Sequence, residues 1–288
     1  MSLLKLGDQV ALVCLSNGLP KEAKVKIDQL DNALRGMGLE VICSPYLVQE
    51  ESVFSAPAIT RAKVLMDFYQ SEKVKAIFDI SGGDIANEVL EYLDYDIIKE
   101  KDKTFFGYSD LTTVINALYC QTGKSSYLYQ IRNLIGACGK TQKEAVFKTL
   151  FQGEKSLLDF NYQFIQGSEL EGSVVGGNIR CFLKLAGTKY MPDFKDKVLF
   201  LESRSGGVAQ MVTFLNQYKQ IGVFRQIKAL ILGSFTQMES EALTPTIEEL
   251  VLQVVDRIDL PIVKTNEIGH GADSKAIIIG QHIRLLKR

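Results

Sequence analysis

Short apolar runs and longer mixed stretches alternate along the first half of this 288-residue chain. The runs 10–15, 40–43, 74–80, 104–106 and 126–129 are rich in β-branched or aromatic residues and predict strands. Between them, 21–36, 57–70, 84–93, 110–121 and 140–151 carry apolar residues at helical spacing. A β-α-β rhythm of this kind predicts an α/β fold with a parallel sheet covered on both faces. Around 153–172 the rhythm breaks into the polar, glycine-punctuated stretch "QGEKSLLDFNYQFIQGSELEG". The expected organisation is an N-terminal α/β domain over 1–160, a crossover over 161–172, and a smaller C-terminal α/β domain with a mixed sheet over 173–288. That second part begins "SVVGGNIRCFLKLAG" and has strand-like runs at 197–202, 229–233, 262–264, 275–279 and 282–286.

In parallel sheets ligands collect outside the carboxyl ends of the strands. Two strand-exit turns are legible, Ser81-Gly82-Gly83-Asp84 and Gly107-Tyr108-Ser109-Asp110, and they are expected to line one crevice. Ser109 reads in two ways, as the cap of the following helix or as a nucleophile. A serine hydroxyl needs a base within hydrogen-bond reach to attack a carbonyl, and the chain has two histidines. His282 lies on an alternating C-terminal strand, where a solvent-facing role is expected. His270 stands between Gly269 and Gly271, so its backbone can bring the imidazole close to a ligand. Glu202 follows the apolar run 198–201 at its carboxyl end. It reads as an ion-pair partner of Arg204 or as the group that orients His270. One explanation covers all three positions: Ser109 attacks, His270 moves the proton, and Glu202 holds the imidazole. The Asp110 N–H and the Gly82-Gly83 turn then supply oxyanion donors. The segment matches G-x-S-x-G only in part, because Leu111 stands where the second glycine would be.

Composition narrows the classes. Thirty-three Lys plus Arg against 34 Asp plus Glu leave a net charge of −1 without a basic block, which removes the electrostatic footprint of a nucleic-acid binder. No segment approaches 18 unbroken apolar residues, so no membrane partner is expected and the chain reads as cytoplasmic. Five cysteines without a C-x-x-C pair read as buried free thiols, and neither a metal nor another cofactor is expected.

Three stretches carry a resemblance: "VKAIFDISGGDIANEVLEYLDYDIIKEKDKTFFGYSDLTTVINALYCQTG", "VVGGNIRCFLKLAGTKYMPDFKDKVLFLE" and "IGHGADSKAIIIGQHIRLL". Together they resemble the serine peptidases comprising the LD-carboxypeptidases (muramoyltetrapeptide carboxypeptidases) and the microcin C immunity peptidases. The resemblance implies a Ser109, Glu202, His270 triad, an oxyanion hole at Gly82, Gly83 and Asp110, two domains and a homodimer. The chain departs from the family's usual pattern at Tyr127-Leu128-Tyr129-Gln130, and it has no tryptophan to stack an adenine. Tyr127 and Tyr129 are the candidate substitutes. A cation for a substrate carboxylate would come from Arg204, Arg180 or Arg132. The expected activity is hydrolysis of an amide bond near a free carboxylate, foremost the L,D bond of murein tetrapeptides. The alternatives are an immunity-type hydrolase of peptidyl or acyl adenylates and a catalytically silent peptide-binding protein.

Overall fold

A computed structural model describes residues 2–287. The chain forms β1 (Gln9–Val13), α1 (Lys24–Gly36), β2 (Glu40–Cys43), α2 (Ala58–Gln70), β3 (Val74–Asp79), α3 (Tyr95–Glu100), β4 (Thr104–Gly107), α4 (Thr112–Thr122), β5 (Ser126–Leu128) and α5 (Gly139–Gln152). There follow β6 (Gln163–Gln166), β7 (Glu169–Asn178), α6 (Ile179–Leu183), β8 (Lys197–Ser203), α7 (Val208–Gln220), β9 (Ala229–Phe235), β10 (Ile262–Lys264), β11 (Ile277–Ile279) and β12 (His282–Leu286). Shorter helical turns fill the connections.

Two six-stranded sheets result, ordered β11-β5-β4-β3-β1-β2 and β12-β7-β8-β9-β10-β6. The first is parallel except for β11, and the second is parallel across β7-β8-β9-β10 with antiparallel strands at both edges. The central strands are buried on both faces, which is why β3 ("VKAIFD"), β8 ("KVLFLES") and β9 ("ALILGSF") read as nearly continuous apolar runs. In α1, by contrast, Ile27, Leu30 and Leu34 recur on one buried face.

Helix α4 lies between the sheets and is buried from Thr112 to Leu118. Its Asn116 completes the main-chain bonding of β7, accepting from Gly176 N–H (2.9 Å) and donating to Gly176 O (2.8 Å). Thr112 Oγ1 accepts from Asn178 N–H at 3.0 Å. A Cβ on Gly177 would sit 2.5 Å from Thr112 Oγ1, so glycine there is what admits the helix so close. One apolar core is therefore continuous from Leu111, Val114 and Leu118 to Val174, Val175 and Phe200.

Four expectations change. Residues 161–172 do not run as a bare crossover: β6 pairs antiparallel with β10 by burying Phe164, and β7 already begins at Glu169. Strand β11, from the C-terminal half, closes the edge of the first sheet, so the sheets do not divide where the chain was expected to. The helix expected over 84–93 is a 3₁₀ helix over Ala86–Tyr92, and α3 follows it under an Asp94 cap that accepts from Asp96 and Ile97 N–H. All five cysteines are free, but only Cys14 and Cys181 are buried; Cys43 is exposed. Among the described residues no helix is long and apolar enough to cross a membrane, and no group of three His, Cys, Asp or Glu could hold a metal ion.

Candidate active site

The chain leaves β4 at Gly107 and enters α4 through one tight turn. Tyr108 is extended (φ −154°), and Ser109 then takes φ 55°, a left-handed conformation that costs a non-glycine residue about 1 kcal/mol. The turn aims the side chain out from the sheet end, as a nucleophile elbow does. Ser109 is no helix cap: Tyr108 holds the N-cap of the 3₁₀ turn over Ser109–Leu111, Leu111 holds that of α4, and no side chain bonds the free N–H groups of either. The second small residue of G-x-S-x-G is dispensable because the fit is made at Gly107. A Cβ there would lie 2.7 Å from the Cβ of Leu111, which is buried.

At the corresponding end of β8, Glu202 is wholly buried and three donors converge on it. Asn178 Nδ2 donates to Oε1 (3.1 Å), Tyr108 Oη donates to Oε2 (3.1 Å), and His270 Nδ1 lies 2.6 Å from Oε2. Burial and the Glu202 charge push the Tyr108 phenol far above its ordinary range, so its hydroxyl remains a donor. A carboxylate accepting on both oxygens places the imidazole proton on Nδ1. The other ring nitrogen, Nε2, is buried without a hydrogen-bond partner. His270 and Ser109 both line a cavity of about 330 Å³, with Gly82, Gly83, Asn17, Gln130, Arg132 and Arg204, and no hydrogen bond joins Ser109 to Nε2.

The Gly82 Cα faces the Ser109 turn, since a Cβ built on it would stand 3.9 Å from Ser109 Cβ. Asp110 has its N–H at the turn and its side chain fully buried. Its carboxylate accepts from Ser16 Oγ (2.6 Å), Ala86 N–H (2.8 Å) and Lys184 Nζ (2.5 Å). Lys184 also donates to Asp84 O (2.7 Å), so one ammonium from the second half of the chain ties down both strand-exit turns.

The remaining candidates separate. Arg132 and Arg204 line the cavity, whereas Arg180 is ion-paired with Asp84. Glu202 does not pair with Arg204. Tyr129 is buried with its hydroxyl on Gln142 (2.6 Å), and Tyr127 stacks on Phe106, so neither lines the cavity. His282 is exposed on β12. The sequence reading missed Tyr108, Asn178 and Lys184. Only the asparagine left a signal, a polar residue directly after Gly176-Gly177 at a strand end.

Comparison with known proteins matches residues 10–129 to the LD-carboxypeptidase N-terminal domain and 171–285 to the LD-carboxypeptidase C-terminal domain. The chain belongs to the LD-carboxypeptidase family. It is therefore a hydrolase of the peptidase type. A Bacillus subtilis relative named "Probable murein peptide carboxypeptidase" is 24% identical, over 96% of this chain and 88% of the relative. The Escherichia coli microcin C7 self-immunity protein MccF is 22% identical, over 93% and 87%. Its structure in complex with aspartyl sulfamoyl adenosine superposes with a TM-score of 0.87 at 20% identity, covering 99% of this chain and 94% of that one. The muramoyltetrapeptide carboxypeptidase of Oxalobacter formigenes gives a TM-score of 0.79 at 21% identity, covering 97% and 95%.

Proposed function

We propose that the chain is a serine carboxypeptidase that cleaves the L,D amide bond of a peptide ending in a D-residue, through an acyl-enzyme. The carrying observation is the unpartnered His270 Nε2, backed by Glu202 at 2.6 Å on Nδ1, on the cavity that Ser109 lines at φ 55°. Ser109 Oγ attacks the scissile carbonyl as Nε2 takes its proton. The tetrahedral oxyanion is held by N–H groups of the Gly82-Gly83 turn and Asp110. When the C–N bond breaks, Nε2 returns the proton to the departing amine, leaving an ester on Ser109. Water, deprotonated by Nε2, then attacks the ester and frees the acid and Ser109. Glu202 orients the ring and balances the imidazolium.

A peptide is favoured over a peptidyl adenylate because the residues lining the cavity include no Tyr, Phe or Trp to stack a base. The test compares kcat/KM for a tetrapeptide ending in L-centre–D-Ala, its all-L isomer and a peptidyl-adenylate analogue, alongside labelling by a fluorophosphonate. The D-Ala peptide is expected to be cleaved best, with labelling and turnover abolished in Ser109→Ala and retained in His282→Ala. Equal cleavage of the D- and L-peptides, or tenfold better cleavage of the adenylate, overturns the reading.

A further inference from the structure

Asn17 stands where the chain leaves β1, and it lines the same cavity as Ser109, Gly82 and Gly83. Its side-chain amide lies flat on the Gly82-Gly83 turn: a Cβ on Gly83, whose φ is 132°, would sit 2.2 Å from Asn17 Cγ and Oδ1. Asn17 Oδ1 accepts from Asp84 N–H at 2.9 Å. A backbone N–H can only donate, so this bond fixes which end of the amide is oxygen. The other end, Nδ2, has two N–H groups and no partner among the described residues.

That free donor is held still from every side. Its main chain bridges to Gly82, and the residues before and after it are tied by Ser16 N–H on Ser81 Oγ (3.0 Å) and Gly18 N–H on Val53 O (2.8 Å). The turn that carries its anchor is itself fixed. Lys184 Nζ donates to Asp84 O at 2.7 Å, and Arg180 pairs with the Asp84 carboxylate. A donor whose orientation is set before substrate arrives costs no reorganisation when charge develops, which is what stabilises an oxyanion.

We propose that Asn17 is a further catalytic residue, whose Nδ2 donates to the scissile carbonyl oxygen as it takes up negative charge, beside the N–H groups of the Gly82-Gly83 turn and Asp110. The proposal rests on the serine-hydrolase reading and adds to it a side-chain donor carried by β1. Removal of one such donor typically costs about 10²–10³ in kcat.

The test uses Asn17→Ala and Asn17→Asp. The aspartate keeps an oxygen for Asp84 N–H but offers an acceptor where Nδ2 offered a donor, so it separates support of the turn from donation to substrate. Labelling of Ser109 by a fluorophosphonate, timed by mass spectrometry, reads the donor without reference to any peptide, and kcat and KM are measured on the D-Ala tetrapeptide. Both variants are expected to lower kcat and the labelling rate about 100-fold or more at little-changed KM. Calorimetry on Ser109→Ala should give the same peptide affinity with and without Asn17→Ala. If Asn17→Ala does not fold, Asn17→Asp carries the test alone. Wild-type rates in Asn17→Asp overturn the proposal, since Asn17 then only supports the turn. So does a loss in Asn17→Asp that vanishes at high pH, which would be the new charge acting on His270, or a raised KM at unchanged kcat. Slowed labelling of the variants beside a wild-type enzyme that cleaves no D-Ala peptide leaves the donor standing and removes the peptidase reading. Peptide cleavage with labelling and kcat unchanged in both variants has the opposite meaning, and a wild type that is never labelled overturns both.

Discussion

Tyr108→Phe removes one oxygen from the site and keeps the ring that packs edge-on against His270, with centroids 4.6 Å apart. The lost hydroxyl is one of three donors to Glu202, which is wholly buried. A hydrogen bond to a charged acceptor contributes about 1.5–3 kcal/mol, and most of that should appear as lost stability, a melting point lowered by several degrees. The rate should suffer less. His270 Nδ1 retains its 2.6 Å contact with Glu202, so the tautomer that leaves Nε2 as base survives, and kcat is expected to fall about tenfold at little-changed KM. Glu202→Gln is the reference: its amide can donate where the carboxylate accepted, turning the imidazole to the wrong tautomer, with an expected loss of about 10³ or more. The assay is steady-state hydrolysis of the D-Ala tetrapeptide beside a thermal melt. Wild-type stability and rate in Tyr108→Phe would refute the role of the hydroxyl in holding Glu202. A loss as large as that of Ser109→Ala would mean that the phenol itself takes part in proton transfer.

Two further outcomes follow from buried charges. Lys184→Met leaves the Asp110 carboxylate buried with Ser16 Oγ, Ala86 N–H and the Cys181 thiol but without a cation on it, and should lower stability by about 2–4 kcal/mol in urea while reducing kcat; unchanged unfolding would show the ion pair to be idle. Burial pushes the Asp79 carboxyl up to about 6. The folded chain then keeps this proton to higher pH than the unfolded chain, whose carboxyl titrates near ~4, so stability falls as pH rises from about 4 to about 6. Asp79→Asn should lack that decline, on the order of 2–3 kcal/mol, and parallel stability curves for the two proteins between pH 4 and pH 7 would refute it.

What the sequence made legible is what leaves a local mark. Continuous apolar runs marked the central strands, and glycines at strand exits marked the turns at Gly82-Gly83 and Gly107. Ser109, Glu202 and His270 stood out because each is a chemically active residue at a strand end or between glycines. The residues that hold them left weaker marks. Tyr108 follows Gly107 in the strand-exit turn, where nothing in the sequence marks it out, yet its hydroxyl donates to Glu202. Asn178 reads as the cap of α6, which it is, since Oδ1 accepts from Cys181 N–H at 3.2 Å, while its Nδ2 serves Glu202. Lys184 lies on a helical stretch with no hint of the buried aspartate 74 positions earlier. Strand β6 has one buried residue, Phe164, and a run so short carries no periodicity. Partnering of β11 with β5 is a long-range choice that an "AIII" run does not encode.

That long-range choice bears on the chemistry. The proposed nucleophile stands on the first sheet and Glu202 on the second, and a misplacement of 1 Å between reacting groups can cost about 10² in rate. His270 sits on the segment that joins the two, between β10 in the second sheet and β11 in the first. Both ends of that segment are therefore fixed by strand pairing, and its middle is closed on itself by Gly269 N–H on Ser274 Oγ (3.0 Å) and Lys275 N–H on Glu267 O (2.7 Å). The imidazole is then held from both directions, through Glu202 to one sheet and through β11 to the other. Asn116 on Gly176 and Lys184 on Asp110 fix the same two sheets from the opposite side. A base carried by a free loop would need binding energy to bring it into line, whereas in the proposed mechanism the pairing of β11 with β5 would fix the segment that carries His270 as the chain folds.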